Sequence, residues 1–296
     1  MVPSLIERRH YRTGGGYCKG LTSFDCRAFQ EVESTHMSYV VALSPCPNDT
    51  FIFHGLLRGR ISLPGPVRFE LRDIQELNEG MARERFDLCK VSSVAALRHS
   101  DTYELCSVGA ALGYGVGPLL VARPGAAPLG ESSRVLAPGS DTTAYALLRH
   151  FFPQAPGGRQ VVFSEIMPAL VRGDADYGVV IHEGRFVYQE LGLQCVADLG
   201  ALWEERYQVP LPLGCLVAHR RVAREWRFAF ESAVRSSIQY SYAHRDEALT
   251  TMRAHAQELD DRAIWAHVDL YVNKWSSELG VAGQAAFERL KSAMLF

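Results

Sequence analysis

From Tyr39 onward the apolar positions alternate between short continuous runs and stretches with apolar residues three and four apart. The first pattern is that of a strand buried on both faces, the second that of an amphipathic helix. "YVVAL", "VRFELRD" and "FDLCKVS" predict strands, with helices "TFIFHGLLRG" and "IQELNEGMARER" between them and "SVAALRHS" after. "YELCSVGAAL" and "GPLLVARPG" predict two more strands. The segment "ARPGAAPLGESS" is rich in Pro, Gly and Ser and reads as a connection between domains. Strands "SRVLAP", "QVVF" and "DYGVVIH" then alternate with a turn and helix, "GSDTTAYALLRHFF", and a helix, "EIMPALVRGDA". After "GCLVAHRRV" the strand signal fades, and residues 224–256 and 260–279 carry helical spacing. Residues 1–36 show neither period and lack the roughly 7–15-residue apolar core of a signal peptide. They are expected to form a poorly ordered N-terminal extension.

Repeated strand–helix units predict α/β architecture with mostly parallel sheets. The two halves can be laid over each other. The first runs strand, "SPCPNDT", helix and, about 40 residues on, the strand "DLCKVSS"; the second runs strand, "PGSDTT", helix and "DYGVVIHE" at a similar distance. Parallel sheets bind ligands at the carboxyl ends of their strands. Two such edges facing each other make a cleft between lobes. The expected division is 37–124 for the first part of lobe 1, 125–217 for lobe 2, and 218–296 for a helical return to lobe 1.

Composition narrows the partners. The chain has 296 residues, 47% hydrophobic and 22% charged, with a formal net charge of −2, so it offers no basic face for nucleic acid. No apolar run approaches the roughly 20 residues needed to span a bilayer. The seven cysteines, at 18, 26, 46, 89, 106, 195 and 215, form no CxxC pair or zinc-spaced cluster. They read as reduced thiols of a cytoplasmic protein.

The polar turn Ser44-Pro45-Cys46-Pro47-Asn48-Asp49-Thr50 is stiffened by two prolines and opens a helix. Helix N-termini suit carboxylates and phosphates, but Asn48 and Asp49 equally suit plain capping. Cys46 has no base near it in sequence and reads as a buried structural thiol. Lys90 and Ser92 end an otherwise apolar strand; Lys90 must reach water or a counter-charge, either an interdomain acid or a substrate. The turn before Thr142 and Thr143 offers hydroxyl donors at a helix start, with capping by Asp141 or Thr142 as the plainer role. His182 sits at the carboxyl end of a buried-type strand, in the place equivalent to Lys90. Imidazole suits a general base, and a histidine bonded to a strand-end carbonyl suits the position equally well. Glu183 and Arg185 could orient the ring or contact an acid group. His255 and His267 lie on helical stretches and read as surface or packing residues. The spacing Gly113-x-Gly115-x-Gly117-Pro118 precedes a strand, not a helix, so it is not a dinucleotide fingerprint. It reads as a close backbone approach to a ligand, or a hinge.

Taken together, "SPCPNDTFIFH", "CKVSS", "ALGYGVGPLLVAR", "PGSDTTAYALL", "GVVIHEGRF", "DLGALWEER" and "PLPLG" resemble the 1,4-dihydroxy-6-naphthoate synthase family of the futalosine route to menaquinone, over about residues 38–290. The resemblance implies a two-lobed, periplasmic-binding-protein-like (type II) α/β fold, each lobe a mostly parallel sheet flanked by helices. It implies a carbon–carbon lyase converting cyclic dehypoxanthine futalosine to 1,4-dihydroxy-6-naphthoate and dihydroxyacetone. It implies His182 as base, with substrate contacts at Lys90, Val91, Ser92, Thr142 and Thr143, and no metal or organic cofactor. Ser44, Asn48 and Asp49 are then expected on the first lobe's cleft wall, facing a carboxylate-bearing small molecule. The rivals are a non-catalytic solute receptor of the same fold, the related chorismate dehydratase, and a hydrolase with Cys46 as nucleophile.

Overall fold

In a computed structural model, the chain is described over residues 38–182, 184–256 and 260–294. The expectation for residues 1–36, and that for Glu183, lie outside the described residues. Eleven strands run in chain order among those described: β1 Tyr39–Leu43, β2 Val67–Leu71, β3 Leu88–Ser92, β4 Tyr103–Leu105, β5 Ala111–Gly113, β6 Leu119–Ala122, β7 Val135–Ala137, β8 Arg159–Gln160, β9 Tyr177–Val180, β10 Gln194–Asp198 and β11 Leu211–His219. They form two sheets, one per lobe. The first has the order β2-β1-β3-β11-β4, with β5 also paired to β11; the second has the order β10-β6-β9-β7-β8.

The alternation of side chains along each strand explains the continuous apolar runs. In the first sheet Val41, Leu43, Leu88, Leu216 and Ala218 pack on one face, and Ala42, Cys89, Val91, Cys215 and Val217 on the other. Both faces are covered, so both are largely apolar, and a polar side chain on either needs a buried partner. Lys90 falls between Leu88 and Ser92 on the first of these faces, under helix Pro47–Ile52. Helices Arg224–Ala243, Arg245–His255 and Asp261–Tyr271 cover the same face, through Phe230, Val234, Ile238, Met252, Ile264 and Val268. The second sheet repeats the arrangement, with Leu120 and Val179 on one face and Leu119, Val121 and Val180 on the other.

The sheets are mixed, which corrects the expectation of mostly parallel ones. β1 runs parallel to β2 and β3, and β7 parallel to β8 and β9. β11 is antiparallel to β3, β4 and β5, and β6 antiparallel to β9 and β10. The physical reason is connectivity. Parallel neighbours are joined by helical crossovers within a lobe, whereas β6 and β11 enter their sheets directly from the other lobe. The two crossings run side by side where β5 pairs with the start of β11, Leu112 opposite Pro212.

This also shifts the lobe boundaries. β6 lies in the second sheet and β11 in the first, so the chain crosses before residue 119 and returns before residue 211, not at 124 and 217. Smaller differences have local causes. The helix expected from Thr50 starts at Pro47, a residue suited to the first helical position, and breaks at Phe53. "QVVF" is barely a strand, because helix Phe163–Arg172 begins inside it.

Candidate active site

The carboxyl ends of β1, β3, β7 and β9 converge on one cleft of about 720 Å³, measured out to its open mouth. Ser44, Asn48, Asp49, Lys90, Val91, Ser92, Thr142, Thr143 and His182, the residues expected as base and substrate contacts, all line it.

The first-lobe wall is a continuous polar network. Lys90 is 3% exposed, and a buried cation needs a partner. Its Nζ lies 2.9 Å from Asp49 Oδ1 and donates to the Gly109 carbonyl at 2.7 Å. The ion pair therefore lies within one lobe and is not an interdomain bridge. The Ser44 hydroxyl donates to Asp49 Oδ2 at 2.7 Å, and Asn48 Nδ2 donates to Asp49 Oδ1 at 3.0 Å. Neither Asn48 nor Asp49 is the N-cap of the helix; Cys46 holds that position, without a side-chain cap. Ser92 is locked from the side, its N–H donating to Asn78 Oδ1 at 2.9 Å while Asn78 Nδ2 donates to its hydroxyl at 3.0 Å.

His267 extends this wall and was missed in the sequence. Its Nε2 lies 3.0 Å from Asn48 Oδ1, and the residue is 1% exposed. Burial, helped by the neighbouring His182, holds its imidazole well below the usual histidine range, so it is neutral. A signal was present. His267 falls on the stripe Ile264, His267, Val268, Tyr271 that buries its helix, where an imidazole needs a polar partner. His255 is exposed, as expected.

The second-lobe wall is built differently. Thr142 caps helix Thr143–Phe151, accepting from Tyr145 N at 3.1 Å and donating to the Gly139 carbonyl at 2.7 Å. Thr143 donates to the Leu213 carbonyl at 2.9 Å and accepts from Val94 N at 3.3 Å. Both hydroxyls are thus engaged by the protein. The N–H groups of Thr143 and Ala144, in the first turn of that helix, have no intrahelical partner, and both residues line the cleft. Asp141, just before that helix, pairs with Arg98 at 2.9 Å.

His182 sits two residues past β9 with φ at +54°, a left-handed conformation that is unfavourable for a side-chain-bearing residue. Its ring stacks on Phe163 at 5.0 Å between centroids. Its Nδ1 is 2.9 Å from Cys46 Sγ across the cleft, so the base that Cys46 lacked in sequence is supplied by the fold. Cys89 and Cys106, by contrast, are fully buried thiols whose ionisation burial pushes well above the ordinary range, and Cys215 is pushed up to about 12. The His182 and His267 rings lie 6.0 Å apart and 22° from parallel, one from each lobe. Arg185 lines the cleft, but no bond joins it to either ring. It is held by Asp198 at 3.0 Å and by the Gly117 carbonyl. Gly117 does allow a close backbone approach, but to Gly200; a Cβ on Gly117 would stand 2.2 Å from the Gly200 Cα. Among the described residues no group of three or more His, Cys, Asp or Glu side chains is disposed to hold a metal ion. Among them, too, no helix is long and apolar enough to cross a membrane.

Two α/β lobes joined by paired crossing strands, with a cleft at the strand ends, define a periplasmic-binding-protein-like fold. The alkanesulfonate-binding protein SsuA of Xanthomonas axonopodis shares the fold, with a TM-score of 0.62 and 12% identity over 87% of this chain and 93% of that one. A solved structure from Archaeoglobus fulgidus superposes with a TM-score of 0.83 and 29% identity, covering 88% of this chain and 97% of its own. The chain belongs to the menaquinone biosynthesis family, whose profile matches residues 39–294. It is 46% identical to the 1,4-dihydroxy-6-naphthoate synthase of Thermus thermophilus, over 84% of this chain and 91% of that protein. Identity to the protein of the same name from Streptomyces coelicolor is 38%, over 84% and 90%. These relatives place the chain among the enzymes of menaquinone biosynthesis.

Proposed function

We propose that this protein is a carbon–carbon lyase that converts cyclic dehypoxanthine futalosine to 1,4-dihydroxy-6-naphthoate and dihydroxyacetone in the cytoplasm, with His182 as general base in the interlobe cleft. The observation that carries this reading is the placement of His182, in a strained backbone conformation at the end of β9, with Nδ1 against the Cys46 thiol. With Nδ1 protonated and turned to sulfur, Nε2 keeps its lone pair for substrate. The substrate carboxylate is met by the free N–H groups of Thr143 and Ala144 and the positive end of their helix. Ser92, held by Asn78, offers a hydroxyl to the sugar-derived part. His182 takes a proton from the substrate, the carbon–carbon bond to the three-carbon fragment breaks, and the proton returns to that fragment. Aromatisation of the remaining ring drives the step. Contact between the lobes across the cleft holds base and substrate in register.

The test is to incubate the purified protein and a His182→Ala variant with cyclic dehypoxanthine futalosine, following naphthoate by absorbance and mass. Wild type is expected to form product, and the variant to lose at least about 100-fold in turnover. Equal product from both removes His182 as base. Binding without turnover by wild type supports a solute receptor instead, and neither binding nor turnover directs the search to chorismate.

A further inference from the structure

The first-lobe network fixes the protons of His267. Asp49, paired with the buried Lys90, is a carboxylate and can only accept hydrogen bonds. The Asn48 atom 3.0 Å from Asp49 Oδ1 must therefore be the amide nitrogen, which turns the amide oxygen toward His267. That oxygen is an acceptor, so His267 Nε2 must carry the hydrogen. In a neutral imidazole, Nδ1 is then a bare lone pair. It is buried and has no hydrogen-bond partner among the described residues, while the residue lines the cleft opposite His182. A purely structural bond to Asn48 would require only Nε2.

We propose that His267 contacts the bound small molecule directly, its Nδ1 accepting a hydrogen bond from a hydroxyl of that molecule. The inference rests on the reading that the cleft binds a hydroxylated carboxylate intermediate. It adds a direction to it. A bare nitrogen lone pair repels a carboxylate and attracts a donor, so the hydroxyl-bearing part of the ligand lies at His267 and the carboxylate at the opposite wall, near Thr143. The two imidazoles divide the work: His182 exchanges protons, and His267 selects a hydroxyl.

The variant His267→Gln keeps an N–H at the Nε2 position for Asn48 and deletes the ring acceptor. Wild-type turnover of cyclic dehypoxanthine futalosine is measured first. Inhibition constants for 1,4-dihydroxy-6-naphthoate and for 2-naphthoate, which retains the carboxylate and lacks both hydroxyls, are then compared in wild type and His267→Gln. The hydroxylated inhibitor is expected to weaken about tenfold in the variant, with 2-naphthoate unchanged. His267→Asn, which places a polar atom near the Nδ1 position, is expected to recover part of that difference. Equal weakening of both inhibitors overturns the proposal, because a distorted wall would act on each alike. No weakening of either, with wild-type turnover intact, overturns it and leaves the lyase reading standing. A wild type that neither turns over the substrate nor binds either naphthoate removes that reading and this inference together.

Discussion

On the first-lobe wall of the cleft, Lys90, Asp49, Ser44, Asn48 and His267 hold one another in one chain of bonds. On the second-lobe wall, Thr142 and Thr143 turn their hydroxyls to the backbone, and His182 stands in a left-handed conformation at the end of its strand. The ion pair and its partners on the first wall are in place before any ligand arrives, and His267 Nδ1 is left without one among the described residues. A buried ion pair with every partner in place is rigid but dangerous to disturb. The second wall has less to lose on substitution and carries the strained residue. Strain of this kind persists where the surrounding packing over-determines it, here through Phe163 and Cys46. The lesson is a division of labour, in which one lobe supplies a fixed floor and the other brings the reactive group to it.

The contrast can be broken at three points. The largest expected effect is on the first wall. Asp49→Ala leaves the Lys90 ammonium buried without its partner and should lower stability by about 3–5 kcal/mol. Urea unfolding measures this, and the double variant Asp49→Leu with Lys90→Met should regain more than half of the loss. A cost under about 1 kcal/mol would mean that the wall is not held by this pair.

The contact between the walls comes next. Cys46→Ser keeps a polar atom against His182 Nδ1, so turnover should fall by no more than about tenfold. A nucleophilic thiol predicts a far deeper loss, and a covalent adduct that mass spectrometry would detect in wild type. The smallest effect belongs to an exposed ion pair. Arg98 and Asp141 are 38% and 40% exposed, so Arg98→Ala should cost less than about 1 kcal/mol. High salt should erase the difference between variant and wild type in urea unfolding.

Much of this was legible along the chain, for physical reasons. A strand covered on both faces must be apolar throughout, so β1, β3 and β9 announced themselves, and the polar residues that follow them marked the carboxyl edges where a cleft could form. Thr142 as a cap was equally readable, because capping is a local rule. The strand directions at the lobe crossings were not. β6 and β11 have the composition of any buried strand, and only the path of the chain between two sheets decides that they run antiparallel to their neighbours.

The same boundary separates the site residues. Local sequence determined where polar groups interrupt apolar elements, and so it picked out Ser44, Asn48, Asp49, Lys90, Ser92 and His182. It could not determine partners. Cys46 meets His182 from 136 positions away, and Asn48 meets His267 from 219 away. Hydrogen bonds are made over about 3 Å in space and leave no trace at such separations along a chain. Which imidazole is buried and neutral, and which faces a thiol, was decided only when the two lobes folded around one cleft.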